Sequence, residues 1–64
     1  MRCKNLIIEQ CKQRHLTIKM IAERMGISAT TFDHYLWYFG DNPEKMQRVA
    51  DAIGCSVDDI MPKD

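Results

Sequence analysis

The sequence predicts an all-α fold, a compact domain of five short helices that spans residues 1–64. Apolar residues recur at helical spacing along most of the chain, which is the pattern of amphipathic helices with one buried face. Glycine and proline divide this pattern into short segments, and hydroxyl or amide residues precede several of them as N-caps. No strand pattern is visible. The predicted helices cover about 4–14, 18–25, 29–38, 44–53 and 57–61.

The first helix, about 4–14, is amphipathic. Its polar residues include Lys12 and Arg14, and the chain then reaches Leu16. Leu16 stands where a hydrophobic staple against Ile21 would fix the entry into the second helix. The apolar positions of the first helix are Leu6, Ile7, Ile8 and Cys11.

The second and third helices are predicted to pack across one tight turn. Thr17 is a suitable N-cap for a helix that buries Ile21 and Ala22. Gly26 can end this helix with positive φ, because glycine has no Cβ to clash in that conformation. Ser28 then caps the third helix at once.

The third helix has two distinct faces. Phe32 and Tyr35 are predicted to turn inward, and the polar side faces outward. Trp37, Tyr38 and Phe39 span most of a helical turn, so they cannot all face one small core. Two interpretations stay open: these aromatics complete the core beneath the fourth helix, or an exposed pair forms an association surface. The outward residues are Ala29, Thr30, Asp33 and His34.

The fourth helix follows a strong turn signal, with Asp41 or Asn42 as its cap and Pro43 suited to the first helical position. Gly54 ends it, and Ser56 caps a short fifth helix. The buried stripe of the fourth helix is Met46, Val49, Ala50 and Ile53.

Composition narrows the class of protein. A hydrophobic content of 45% with 28% charged residues is ordinary for a soluble domain, and no apolar run reaches the ~18 to 20 residues of a membrane span. With no secretion signal in view, we expect a cytoplasmic protein. Three cysteines without a CxxC pair predict neither disulfides nor a metal site, although Cys11 and His15 stand four residues apart on the first helix. No cofactor or small-molecule ligand is expected.

The net charge is zero, but its sign changes along the chain. Residues 1–31 contain six basic and two acidic residues, whereas residues 32–64 contain three basic and seven acidic residues. The first half could therefore face phosphate, or the difference is the ordinary variation of a short chain.

A family resemblance rests on the second and third helices and on the end of the chain. Ala22, Gly26, Ile27, Phe32 and Tyr35 have the spacing of the Cro/cI-like (Xre-type, lambda-repressor-like) helix-turn-helix family. The ending NPEKMQRVADAIGCSVDDIM also resembles that family's last two helices. The resemblance covers about residues 5–61. It implies a five-helix lambda-repressor-like domain in which helices 2 and 3 form the helix-turn-helix.

The chain departs from the family at three positions. Members often pair an arginine on the first helix with a glutamate late in the third, and these positions are Cys11 and Leu36 here. Replacing both partners of a buried ion pair by apolar groups can be neutral or stabilising, so we expect these two residues to lie near each other. Phage repressors often start the second helix with glutamine, which is Ile18 here, so that phosphate contact is not carried over.

The resemblance implies a DNA-binding surface. Lys19 and the helix start near Thr17 would contact phosphate, with Ser28 and Thr31 also near the backbone. Base edges would be read by Ala29, Thr30, Asp33 and His34, and Tyr38 could bond a phosphate. The expected site is Thr17, Lys19, Ser28, Ala29, Thr30, Thr31, Asp33, His34 and Tyr38.

The sequence thus indicates a small transcriptional regulator, a repressor by occupancy, that binds double-stranded DNA as a homodimer. The alternative is a degenerate helix-turn-helix module for protein contacts, adaptor or antitoxin-like, with little DNA affinity; zero net charge, Ile18, Ala29 and Asp33 favour it. No GxSxG, phosphate-binding glycine loop or HExxH motif occurs, so an enzyme is not expected.

Overall fold

Four α-helices and one 3₁₀ turn make up the part of the chain that the structure describes. The computed structural model describes residues 2–61, without the side chain of Arg2. The elements are α1 (Arg2–Gln13), α2 (Ile18–Arg24), α3 (Ala29–Phe39), α4 (Pro43–Ile53) and a 3₁₀ turn at Val57–Asp59. No strand occurs within that range, so the predicted all-α class is confirmed. None of the helices in residues 2–61 has both the length and the apolar character needed to cross a membrane.

The predicted fifth helix, residues 57–61, is wrong as an α-helix. Ser56 forms a capping box with Asp59. The Ser56 side chain accepts from the N–H of Asp58 over 3.2 Å, and the Ser56 N–H donates to the Asp59 carboxylate over 3.2 Å. The N–H of Asp59 donates to the carbonyl of Ser56 and the N–H of Ile60 to that of Val57, both three residues back. Such bonds define a 3₁₀ turn, which rarely continues beyond three or four residues.

Glycines end α2 and α4 as predicted. Gly26 has φ of 75° and Gly54 has φ of 94°, a region that favours glycine because it lacks a Cβ. After α2, the N–H of Ile27 donates to the carbonyl of Ala22 over 3.0 Å, and the N–H of Gly26 donates to that of Glu23 over 3.0 Å. These two bonds are the Schellman motif, which satisfies carbonyls at the helix end and turns the chain toward α3.

The end of α1 has the same motif without a glycine. His15 takes φ of 57°, and the N–H of Leu16 donates to the carbonyl of Cys11 over 2.8 Å. The His15 N–H donates to the carbonyl of Lys12 over 3.3 Å, which completes the Schellman pair. The helix therefore stops at Gln13, and the turn aims the chain at the Thr17 cap of α2.

The core collects apolar side chains from all four α-helices and from Ile60, which follows the 3₁₀ turn. Among residues 3–61, no polar or charged side chain is buried. The predicted stripe of α4 is confirmed in full, whereas on α1 the buried residues are spaced by four and leave Leu6 and Ile8 only half-buried. Cys11 and Leu36 are both buried in this core, and their direct proximity stays a prediction. The buried residues are Cys3, Ile7, Cys11, Ile21, Ala22, Phe32, Leu36, Met46, Val49, Ala50, Ile53 and Ile60.

Gly40 has an ordinary φ of −59°, so its backbone conformation does not require glycine. The lack of space for a side chain does. A β-carbon at this position would lie 2.7 Å from the carbonyl oxygen of Leu36 and 3.1 Å from Sγ of Cys3. The start of α1 therefore packs directly against the backbone at the end of α3.

Candidate nucleic-acid interface

Two capped helix starts form the base of the predicted site. Thr17 Oγ1 accepts from the N–H of Met20 over 3.2 Å, which confirms Thr17 as the N-cap of α2. Ser28 Oγ accepts from the N–H of Thr31 over 3.1 Å and donates to Thr31 Oγ1 over 2.9 Å. Because a hydroxyl has one donor and two acceptor positions, Thr17 and Thr31 each keep a hydroxyl hydrogen free to donate.

The outer side of α3 is open to solvent. Ala29, Thr30, Thr31 and His34 are exposed, whereas Phe32 is fully buried beneath them. This orientation follows from helical spacing, since residues three and four apart share a face. The inward Tyr35 is half-buried and donates from its hydroxyl to the carbonyl of Lys45 over 2.7 Å, which ties α3 to α4.

Asp33 differs from the other predicted base-reading residues because it is bound within the chain. Its Oδ1 lies 2.9 Å from Nζ of Lys4 on α1, and its side chain is 48% exposed. The pair lies at the surface and contributes little to stability, about 0 to 1 kcal/mol. It nevertheless holds the carboxylate toward α1, so Asp33 has a structural partner that spacing within α3 did not reveal.

Eight of the nine predicted site residues are exposed, and Asp33 is half-buried. Lys19 supplies the positive charge near the start of α2, whereas α3 contains no lysine or arginine. Ile18 is half-buried and packs against the core, so its side chain belongs to the hydrophobic packing. The surface is therefore polar and only weakly basic.

The aromatic residues at the end of α3 divide into two groups. Phe39 is half-buried; its ring centroid lies 5.1 Å from that of Tyr35 in an edge arrangement, and Nζ of Lys45 lies 5.4 Å from it. Trp37 is 74% exposed and Tyr38 is 77% exposed. The expectation that at least one aromatic is exposed is confirmed. Trp37 was absent from the predicted site, although it lies three residues after His34 and so on the same face.

A shallow groove of about 610 Å³ lies behind this face, between the end of α2, α3 and α4. Arg24 and Arg48 line it together with Tyr35. Nη1 of Arg24 donates to the carbonyl of Ala52 over 2.8 Å, which joins the C-terminal ends of α2 and α4. The groove thus contains a structural contact that positions α2.

The cysteines are free thiols in the structure. Cys3 and Cys11 are buried and Cys55 is half-buried, and burial raises the pKa of all three thiols. Among residues 2–61, no group of three or more potential ligands is arranged to hold a metal ion. The thiols therefore act in this structure as small apolar groups.

No protein-family model matches the chain, and neither a curated protein nor a solved structure matches it. The resemblance to the Cro/cI-like family therefore rests on the residues and spacing of the chain itself.

Proposed function

We propose that the chain is a Cro/cI-like helix-turn-helix domain that binds double-stranded DNA and regulates transcription, as a repressor by occupancy. The observation that carries the proposal is the solvent-exposed polar face of α3 above a fully buried Phe32. In helix-turn-helix proteins the second helix of the motif enters the major groove and contacts base edges. α2 packs against α3 and would cross the phosphate backbone.

Phosphate contacts would come from the helix starts. Lys19 is exposed and can pair with a phosphate, and the free hydroxyl hydrogens of Thr17 and Thr31 can donate to phosphate oxygens. Ser28 fixes the direction of Thr31 through their hydrogen bond, so it would position a contact in addition to making one. Tyr38, at the other end of α3, would bond a phosphate outside the groove.

Base contacts would come from the exposed face of α3. Thr30 can donate or accept at a base edge, His34 can donate to a guanine acceptor, and Ala29 can touch a thymine methyl group. Asp33 pairs with Lys4 through Oδ1, so a bond from cytosine N4 would be accepted by its other carboxylate oxygen. Good bidentate contacts contribute about 1 to 3 kcal/mol each, and these side chains offer none of the arginine, asparagine or glutamine pairings. We therefore infer a modest affinity per monomer and a homodimer that reads two half-sites.

The test is selection of binding sites from random duplex DNA at low and moderate salt, scored for an enriched palindrome. A matched pair of variants then locates the phosphate contact, since Lys19→Ala and Lys12→Ala each remove one positive charge from an exposed helix position. We expect Lys19→Ala to weaken binding on all sequences and to reduce the salt slope by about 0.9, the value for one lost phosphate contact. Lys12→Ala should leave both the DNA affinity and its salt dependence unchanged. Failure to enrich any sequence at either salt concentration would overturn the proposal.

A second candidate is a protein-interaction module with the same fold and little DNA affinity. The exposed Trp37 and Tyr38 favour it, because tryptophan and tyrosine are enriched at protein interfaces and are unusual as isolated surface residues. The absence of lysine and arginine from α3 favours it as well. The selection experiment separates the two candidates, since a protein module predicts no enriched palindrome.

A further inference from the structure

We propose that, in the absence of DNA, two copies of the chain associate through an antiparallel contact between their α3 helices, centred on Trp37 and Tyr38. This inference does not rest on the proposed DNA function. It rests on the outer stripe of α3, a row of exposed residues opposite the buried Phe32 and Leu36. The outer stripe comprises Thr30, His34, Trp37, Tyr38 and Asp41.

The outer stripe has the order that a two-fold contact requires. In an antiparallel pair with the axis between residues 37 and 38, Trp37 of one copy meets Tyr38 of the other. His34 is three residues before Trp37 and Asp41 is three residues after Tyr38, so His34 of each copy meets Asp41 of its mate. Gly40 keeps a helical backbone, with φ of −59° and ψ of −23°, so the helical spacing extends toward Asp41. A two-fold interface must be self-complementary in this way.

The chemistry of the two pairings favours a second copy as the occupant. Two aromatic contacts form the apolar centre, and at each end an imidazole N–H can donate to a carboxylate oxygen. Charged and polar groups around an aromatic centre are the usual anatomy of a protein interface. The carboxylate of Asp41 would repel a phosphate, whereas it suits the imidazole of a second copy.

The size of the patch predicts a weak dimer. Aromatic side chains bury about 150 to 250 Å² each, so four of them remove roughly 600 to 1,000 Å² from solvent. Stable interfaces bury about 1,200 to 2,000 Å². We therefore expect reversible self-association that becomes visible only in the upper part of a concentration series from about 10 µM to 1 mM.

A dimer held together by this α3 contact cannot bind two DNA half-sites at the same time. Packed helices lie about 8 to 10 Å apart, whereas recognition helices in adjacent half-sites lie about 34 Å apart. The α3 dimer also covers His34 and Thr30, which the proposed function places in the major groove. A dimer on DNA must therefore use a different interface, and the α3 dimer is a DNA-free form.

The test is sedimentation equilibrium of the full chain without DNA over that concentration series. We expect wild type to dimerise and Trp37→Ala to lower the association constant at least tenfold. Met20→Ala, which removes another exposed large hydrophobic residue, should leave it within twofold. Circular dichroism establishes that each variant is folded. A chain that stays monomeric throughout, or a Trp37→Ala variant that associates like wild type, would overturn the proposal.

A residue exchange tests the antiparallel register. His34→Asp places two carboxylates opposite each other and should lower the association constant at least threefold. Adding Asp41→His to that variant restores one imidazole and one carboxylate at each end, so association should return to within twofold of wild type. A double variant no better than the single one would overturn the register. Since DNA is absent, a chain that dimerises but selects no duplex loses only the DNA proposal.

Discussion

At the scale of single residues, His15 has a strained backbone conformation. Its φ of 57° places a side chain with a Cβ in the left-handed region, which costs roughly 1 to 2 kcal/mol for most residues. Glycine takes this conformation readily and is the usual residue at this position of a Schellman motif. The hydrogen bond from Leu16 to Cys11 depends on the backbone alone and would survive the substitution.

We therefore predict that His15→Gly raises the free energy of unfolding by roughly 0.5 to 1 kcal/mol. Chemical denaturation followed by circular dichroism measures this difference. Glu9→Gly is the matched control, because Glu9 is an exposed residue in the interior of α1 and glycine there should lower stability by about 1 kcal/mol. Equal or reduced stability of His15→Gly would show that the histidine side chain makes a compensating contact.

Single residues were predictable from sequence where their role is local. Thr17, Ser28 and Ser56 were identified as caps, because a cap depends on the few residues that follow it. The conformation of His15 was missed because positive φ is uncommon for any residue with a Cβ, although histidine adopts it more often than most. The partner of Asp33 was also missed, since Lys4 is distant in sequence and only the packing of α1 beside α3 brings the two together.

At the scale of helices, the hydroxyl of Tyr35 is the polar link between α3 and α4. It donates to the carbonyl of Lys45 over 2.7 Å, near the start of α4. A typical hydrogen bond contributes about 0.5 to 1.5 kcal/mol to stability, and a half-buried one lies within this range.

We predict that Tyr35→Phe lowers the free energy of unfolding by about 1 kcal/mol, because the ring keeps its packing but the bond to Lys45 is lost. Tyr38→Phe is the control, since Tyr38 is 77% exposed and the same atom is removed from it. That variant should match wild type in a denaturation experiment. If both variants lost a similar free energy of unfolding, the loss would be a general effect of removing a hydroxyl and not the effect of the bond between α3 and α4.

Helix boundaries were predicted to within two residues at each end of the four α-helices. Periodicity and caps supplied the information, and Asn42 proved to be the cap of α4, with Pro43 at its first position. The failure at 57–61 has a physical cause. Only one bond of α-helical type occurs there, from the N–H of Met61 to the carbonyl of Val57 over 3.1 Å. A second cannot follow it, because the next residue in the sequence is Pro62, which has no backbone N–H.

For the whole molecule, the buried thiols predict a loss of stability at alkaline pH. Desolvation by burial raises the pKa of Cys3 and Cys11 above the ordinary value of 9.0. The unfolded chain therefore releases these protons at a lower pH than the folded chain. Stability from this source is fully present below pH 9 and falls as pH rises through the higher folded pKa values. Burial also raises the pKa of Tyr35, which extends the fall above pH 10.

The measurement is the free energy of unfolding between about pH 7 and pH 11, with a reductant present. We expect a plateau at neutral pH and a decline above pH 9. Replacing Cys3 and Cys11 by alanine should lower stability at neutral pH, because small cavities form, and should make the alkaline decline shallower. A decline of unchanged steepness in the double variant would assign the effect to other groups.

The sequence also predicted the overall division of α3 into a buried and an exposed side, because this division follows from spacing alone. It did not predict which of the three consecutive aromatics would be exposed. That choice depends on where α4 and Lys45 lie relative to the end of α3, and on the close approach of Cys3 to Gly40. These are long-range contacts that no local pattern specifies.

The position of Trp37 has a practical consequence for spectroscopy. It is the chain's single tryptophan, and it stands in water in the folded domain. Its emission should therefore change little when the domain melts, so a fluorescence melting curve would miss the transition that circular dichroism detects. For the same reason its emission is a selective optical reporter of whatever covers that side of the molecule.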